Sequence, residues 1–231
     1  MKKELIVAKY KEDISWINQI TDTYDNIYIY DKSLPSQYFN NNVSPYENKK
    51  ISLISLPNIG RESHTYLHHI INNYDNLSDI ITFSQGNPFD HCRDFIDRVR
   101  NIDKEVQDPK QYSAYYGRSS YCDGNGQGPE TGIFSGKPNP LADIFNILFP
   151  NTVVPEKFIF CFGALFSISK ELILQHNKEF YIKIINIASY GGTLFPISIL
   201  TWYEAYQKMI YGTNDPGHAF ERLWPYIFIK D

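Results

Sequence analysis

The sequence predicts an α/β fold with a mostly parallel central sheet flanked by helices. Three observations predict it. The chain opens as strand, helix, strand, with an apolar run at residues 5–8, a helical start at 12–17 and an alternating run at 26–30. That is the βαβ unit from which parallel sheets are built. Residues 80–83, Ile-Ile-Thr-Phe, are apolar and β-branched and stop at Gly86 and Pro88, as a buried strand running out into a loop would. Between these runs Leu67, Ile70, Ile71 and Tyr74 fall at i, i+3, i+4 and i+7, the spacing of a helix with one face in the core.

Taken in order, residues 5–8 form the first buried strand. Glu12 and Asp13 fall in the first turn of the helix that follows, where acidic side chains suit the macrodipole. The second strand, 26–30, ends at Asp31-Lys32-Ser33. Residues 34–49 are a Pro-, Asn- and Tyr-rich loop, and 50–55 a short third strand. Pro57-Asn58 and Gly60 then signal a turn into the central helix. After the fourth strand, residues 89–106 read as a polar helix with Phe95, Ile96, Val99 and Ile102 as its apolar stripe. Residues 107–140 are the least regular in composition, and a loop of that length is usually functional or mobile. Gly124, Gly126 and Gly128 within it follow no strand and open no helix, so they read as a flexible lid and not as a dinucleotide fingerprint. Residues 158–167 predict one further buried strand, 170–175 a helix that resumes through 180–188, Tyr190-Gly-Gly a break, and 197–211 another amphipathic helix. Residues 218–228 close the chain. There is no internal repeat.

With 231 residues and no Gly/Ser linker or charge block, the chain is the size of one well-filled domain, residues 1–231. The formal net charge of −4 comes without a basic stripe or polybasic run, which argues against nucleic-acid and anionic-membrane partners. The first residues lack the apolar core of a signal peptide, and no run reaches the length of a membrane span, so a cytoplasmic protein with no membrane span is expected. Cys92, Cys122 and Cys161 are too few and scattered for a disulfide framework or a Cys-rich zinc site, and read as buried or free thiols.

Several long blocks carry a resemblance. Tyr10-Lys-Glu-Asp-Ile-Ser-Trp16, Tyr30-Asp-Lys32, Leu56-Pro-Asn-Ile-Gly-Arg-Glu-Ser-His-Thr-Tyr-Leu-His-His-Ile70, Gln85-Gly-Asn-Pro-Phe-Asp-His91 and Glu221-Arg-Leu-Trp-Pro-Tyr-Ile-Phe228 resemble a family of uncharacterised domains, domains of unknown function found in fungi and microbes. That family implies no settled activity. Its layout is similar to the GT-A fold, a Rossmann-like fold of nucleotide-sugar glycosyltransferases, and this weaker likeness implies a single GT-A-like domain. It further implies a nucleotide-sugar donor and a glycan or other hydroxyl acceptor. Laid on that pattern, Tyr10 and Glu12 match the loop that holds the nucleotide base, Asp31-Lys32 the loop near base or ribose, and Asn58-Ile-Gly-Arg61 the turn that follows. Gln85-Gly86-Asn87 stands where the pattern has an Asp-x-Asp metal motif. Neutral Gln and Asn are poor ligands for a hard divalent cation. Three alternatives follow: Asp90 and His91 supply a Mn2+ or Mg2+ site; the diphosphate is met without metal by Arg61, Lys32 or Arg118; or catalysis has been lost.

Each candidate has a plainer reading beside it. Arg61 and Glu62 at a helix start suit a diphosphate and a sugar hydroxyl, or else form a surface ion pair. Asp90-His91 are metal ligands or a helix cap with its neighbour. Glu221, on an apolar segment with Leu223, Trp224, Ile227 and Phe228, would have its pKa raised if buried and would then suit a general base, a role for which His218 competes; a salt bridge to Arg222 is the alternative. A different class of function, a metal-dependent hydrolase, would use His64 and His68, spaced i, i+4 on a helix, with Asp90 and His91, although the Glu of a zincin motif is missing. A third is a non-catalytic carbohydrate-binding module, favoured by Gln85 and Asn87. The sequence names neither sugar, nucleotide nor acceptor.

Overall fold

The sheet is built outward from β1 (Lys3–Lys9), whose Leu5, Ile6 and Val7 are fully buried. Successive side chains of a strand point to opposite faces, so Leu5 and Val7 enter one core and Ile6 the other. A strand buried on both faces needs cover on both, which is the α/β arrangement. The computed structural model describes residues 1–33, 50–128, 141–189 and 216–228.

Among the described residues six strands form the main sheet, in the order β3-β2-β1-β4-β8-β5. β2 (Asn26–Asp31) and β4 (Ile80–Gln85) flank β1 in parallel, and β3 (Ile51–Ser55) continues in parallel beyond β2. β8 (Phe166–Ser169) runs antiparallel to β4 with Phe166 opposite Phe83, and β5 (Ser113–Tyr115) antiparallel to β8. The sheet is thus mostly parallel and Rossmann-like, as expected. A small antiparallel pair, β6 (Ser119–Cys122) with β7 (Phe158–Cys161), stands apart from it.

One face is covered by the central helix α1 (Arg61–Asn73), by α6 (Lys178–Ala188) and by the closing helix α7 (Pro216–Phe228), which bring Tyr66, Leu67, Ile70, Ile184, Phe220 and Trp224 onto Ile6, Phe83 and Phe166. On the other face Trp16, Ile17, Ile20, Phe95 and Val99 cover Leu5, Val7, Ile27 and Ile29. Each such fully buried aliphatic or aromatic side chain contributes roughly 1.5–3 kcal/mol. The remaining short helices are α2 (Phe95–Arg100), α3 (Ile102–Glu105), α4 (Leu141–Leu148) and α5 (Lys170–Ile173).

Four expectations are corrected. The helix expected from residue 12 is a pair of 3-10 turns, Ser15–Gln19 and Thr21–Thr23. Asp13 accepts from the Ser15 N–H and hydroxyl, both at 2.9 Å, a local turn that competes with α-helix at this point. The long helix expected over 89–106 is α2 and α3, broken at Asn101. The single strand expected over 158–167 is two strands in two sheets, β7 and β8, separated by a turn at Phe162–Ala164. The glycine run is no loose lid where it is described: Asp123 Oδ1 accepts from the N–H groups of Asn125 and Gln127, and the Ala142 N–H donates to Gly124 O at 2.9 Å. Residues 129–140 and the helix expected at 197–211 lie outside the described residues. All three cysteines are free thiols. Among the described residues no helix is long and apolar enough to cross a membrane.

A charged cleft at the carboxyl ends of the parallel strands

In open α/β sheets the ligand crevice lies outside the carboxyl ends of the strands, where the strand order reverses. Here that point is between β1 and β4. The loops leaving them are packed together: a Cβ on Gly86 would lie 2.7 Å from Glu12 Oε2. The Trp16 indole N–H donates to Gly86 O at 2.8 Å, and Glu12 Oε2 accepts from the Tyr10 N–H at 2.6 Å. Asn87 Oδ1 accepts from the Phe89 N–H at 3.3 Å and caps the 3-10 turn Pro88–Asp90. The packing carries Gln85, Asp90 and His91 to the rim of a cleft of about 450 Å³.

A second wall is the start of α1. Gly60 adopts φ +58°, and a Cβ there would lie 2.6 Å from Ala188 O, so the turn requires glycine. Arg61 follows at φ 49°, a left-handed conformation costly to a residue with a side chain. The turn is held from behind by Lys32, whose buried ammonium donates to Ile59 O at 2.7 Å and to Arg61 O. Arg61 and Glu62 thereby face the cleft.

The third wall comes from α7 and the β7–β8 turn. His218, Glu221 and Arg222, at i, i+3 and i+4, share one helical face and line the cleft. Glu221 Oε1 accepts from the Gly163 N–H at 2.6 Å. Gly163 is at φ +86°, and a Cβ on it would lie 2.7 Å from His91 Cδ2. The His91 ring stacks on Phe162 at 6.4 Å between centroids and 12° between planes, and the Arg118 guanidinium sits 5.6 Å from the Phe162 ring centre. Backbone meets backbone beside it: a Cβ on Gly117 would lie 1.8 Å from Phe162 O, and the Phe162 N–H donates to Arg118 O at 3.1 Å. Arg222 is 4% exposed, lies over the Phe160 ring at 4.8 Å, and donates through Nη1 to His218 O at 2.5 Å and to Glu221 Oε2 at 3.4 Å.

The raised carboxyl in the cleft is Glu62. Burial pushes its pKa up to about 7, and the nearby Glu221 charge adds to the rise; its own backbone N–H, Arg61 and Lys32 offset only part.

Seven residues nominated from separate stretches of sequence meet here: Arg61, Glu62, Gln85, Asp90, His91, His218 and Glu221, with Arg118 beside them. Tyr10, Glu12, Asp31, Lys32, Gly86 and Asn87 lie along the same edge of the sheet but do not line the cleft. The Tyr10 ring is 41% exposed. Asp31 is buried, with its oxygens taken by Lys9 Nζ at 2.9 Å and by the Ser33 N–H at 2.8 Å. His64 and His68 do not join Asp90 and His91, which corrects the four-residue cluster. They pack side by side with ring centres 6.0 Å apart, and burial, reinforced by the Lys32 charge, pushes their pKa values down to about 3 and about 4. Among the described residues no three His, Cys, Asp or Glu side chains gather as a metal site. The adjacent His69 is wholly buried, with Nδ1 2.9 Å from the Tyr30 hydroxyl and Nε2 3.1 Å from Glu4 Oε1.

Sequence reasoning missed Phe162 and Gly163, and gave Arg222 only a partner's part. A lone glycine inside an apolar run is a signal for a bulge or close approach, and Gly163 was such a glycine. The Arg222 signal was its spacing of four from His218.

The fold and the cleft together define a Rossmann-like α/β protein with a ligand-sized, charged site at its switch point. The chain belongs to the family described as "Protein of unknown function (DUF3431)", whose model matches residues 5–231. No curated protein matches the chain.

Proposed function

We propose that the protein is a glycosyltransferase that uses a nucleotide-diphosphate sugar and transfers the sugar to a hydroxyl of a glycan or other acceptor. The observation that supports the reading is the convergence of Arg61, Glu62, Gln85, Asp90, His91, His218 and Glu221 on one cleft at the switch point of the sheet. Arg61 and Arg118 meet the negative diphosphate at the start of α1, where the helix dipole favours an anion. Tyr10, Glu12 and Asp31 along the edge take the nucleoside. Gln85 hydrogen-bonds the donor sugar, and Glu221 and His218 face the acceptor. In the transfer the acceptor oxygen loses its proton and bonds to the anomeric carbon. The bond from that carbon to the phosphate oxygen breaks, its electron pair leaving with the nucleoside diphosphate.

A Mn2+ or Mg2+ ion, as the fold likeness implies, fits the residues of this cleft poorly. Asp90 is the one carboxylate of the loop after β4 that lines the cleft, Gln85 and Asn87 are neutral, and His91 is packed on Phe162 and Gly163. A hard cation seeks six or more oxygen ligands. The steps above are accordingly assigned to the arginines.

The test is a thermal-shift panel of UDP, GDP, CMP and TDP and their sugars, each with and without manganese. A ligand that binds only the folded state raises Tm with its concentration over Kd. A nucleotide-selective shift that weakens in folded Arg61→Ala is the expected result. A flat panel with well-folded protein sinks the reading, and glycan binding without any nucleotide shift would replace it with a carbohydrate-binding module. Full transfer activity in folded Arg61→Ala and Glu221→Gln would refute those two assignments.

A further inference from the structure

Besides Asp90 on the loop after β4, two carboxyls face this cleft from the helices, and they are held differently. Glu221 is tied at both oxygens, by the Gly163 N–H at 2.6 Å and by Arg222 at 3.4 Å, itself fixed to His218 O and the Phe160 ring. Those bonds fix the position of the carboxylate. Glu62 is half-buried, and among the described residues its carboxyl makes no ion pair and accepts only from its own backbone N–H. Lys32, which supports the turn from behind, donates to two backbone carbonyls.

Resting on the transferase reading, we infer that Glu62 is the general base of the reaction and that Glu221 is the fixed anion beside it. The Glu62 carboxylate takes the proton of the acceptor hydroxyl as the oxygen bonds to the anomeric carbon, and becomes the acid. Glu221, held in place beside it, stabilises the positive charge that develops on the sugar ring. Beyond burial, the groups that set the proton affinity of Glu62 are its own backbone N–H, Glu221 from α7, Arg61 on its own helix and Lys32 behind it; His218 and Arg222 from α7, Asp90 and His91 from the loop after β4, and Arg118 before β6 line the same cleft. One carboxylate pinned by hydrogen bonds and a neighbour left to exchange its proton divide the work between them. A base titrating close to the working pH is the effective one.

The experiment compares wild type with Glu62→Gln, using the nucleotide sugar that gives the largest thermal shift and following release of the nucleoside diphosphate. The expected result is an unchanged nucleotide-induced shift, turnover lower by about 10²–10⁴-fold, and loss of the wild-type rise in kcat toward pH 7. Added formate should partly restore turnover in Glu62→Ala, a rescue that a merely structural carboxyl would not give. Turnover in Glu62→Gln within threefold of wild type, with the shift intact, overturns the inference and leaves the transferase reading standing. A wild type that binds nucleotide but turns over no donor overturns the inference as well. The absence of any nucleotide shift in wild type removes the transferase reading and this assignment with it.

Discussion

Replacing Gly163 by alanine is the sharpest perturbation of the cleft. Two independent penalties arise. The backbone sits at φ +86°, where a residue with a Cβ costs on the order of 1–3 kcal/mol. The new methyl would also stand 2.7 Å from Cδ2 and 2.8 Å from Cβ and Cγ of His91, so the ring must leave its stack on Phe162; overpacking of this kind costs about 1–3 kcal/mol. Because His91 is exposed and can swing outward, the lower half of the combined range is expected, about 2–4 kcal/mol. For a chain of this size each kcal/mol lowers Tm by about 2–4 °C, so Gly163→Ala should melt roughly 4–16 °C below wild type. Calorimetry on both proteins at pH 7 measures it. The same change should loosen the Gly163 N–H bond to Glu221 and so lower turnover beyond the loss in stability. A variant melting within about 1 °C of wild type would refute the argument, since it would mean that neither the backbone nor the ring is constrained there.

Other outcomes follow from groups away from that turn. His69→Phe leaves Glu4 buried without its partner and the Tyr30 hydroxyl without its own; it should cost about 3–5 kcal/mol in urea unfolding, whereas Glu4→Gln should cost less because an amide still meets His69 and Ser78. Lys32→Met strips the carbonyls of Ile59 and Arg61 of their donor, at about 1–3 kcal/mol each, and hydrogen exchange in the first turn of α1 should speed up. Stability should also respond to pH with opposing signs. His64 and His68 have folded pKa values of about 3 and about 4 against 6.5, so the unfolded chain binds more protons and their contribution is lost as pH falls below about 6.5. Glu62 has a folded pKa of about 7 against 4.5, so the folded chain binds more protons and stability is lost as pH rises from about 4.5 through 7. Glu62→Gln should therefore steepen the rise of stability with pH between 5 and 6.5 by at most about 1.4 kcal/mol per pH unit, and His64→Gln with His68→Gln should flatten it. Equal slopes in all three proteins would show that these groups titrate alike in both states.

The central strands β1 and β4 were legible because burial on both faces leaves a continuous apolar run, as in residues 5–8 and 80–83, and β2 because its residues 26–30 alternate. The same property hid the division between Phe158–Cys161 and Phe166–Ser169: both halves are apolar, and only Gly163 marks the change of sheet. Most of the cleft was legible because its residues stand at turn signals, Pro57 to Gly60 before Arg61 and Gly86 with Pro88 before Asp90. Which carboxyl is raised was not legible. That depends on groups facing each other across elements, and Glu62 and Glu221 are brought together only by the packing of α1 against α7. Lys32 shows the converse: a lysine beside a phosphate-type turn reads as a ligand, yet its ammonium supports the turn from behind.

The contact of Gly117 with Phe162 has a mechanical consequence. With no room for even a methyl between the two backbones and the Phe162 N–H bonded to Arg118 O, the segment bearing Arg118 and the turn bearing Gly163 are tied to each other. A bound anion that draws Arg118 inward would pull on the same rigid piece that carries the Gly163 N–H, and so would tighten or release the grip on Glu221. Occupancy at one end of the cleft would then be felt at the other without any hinge.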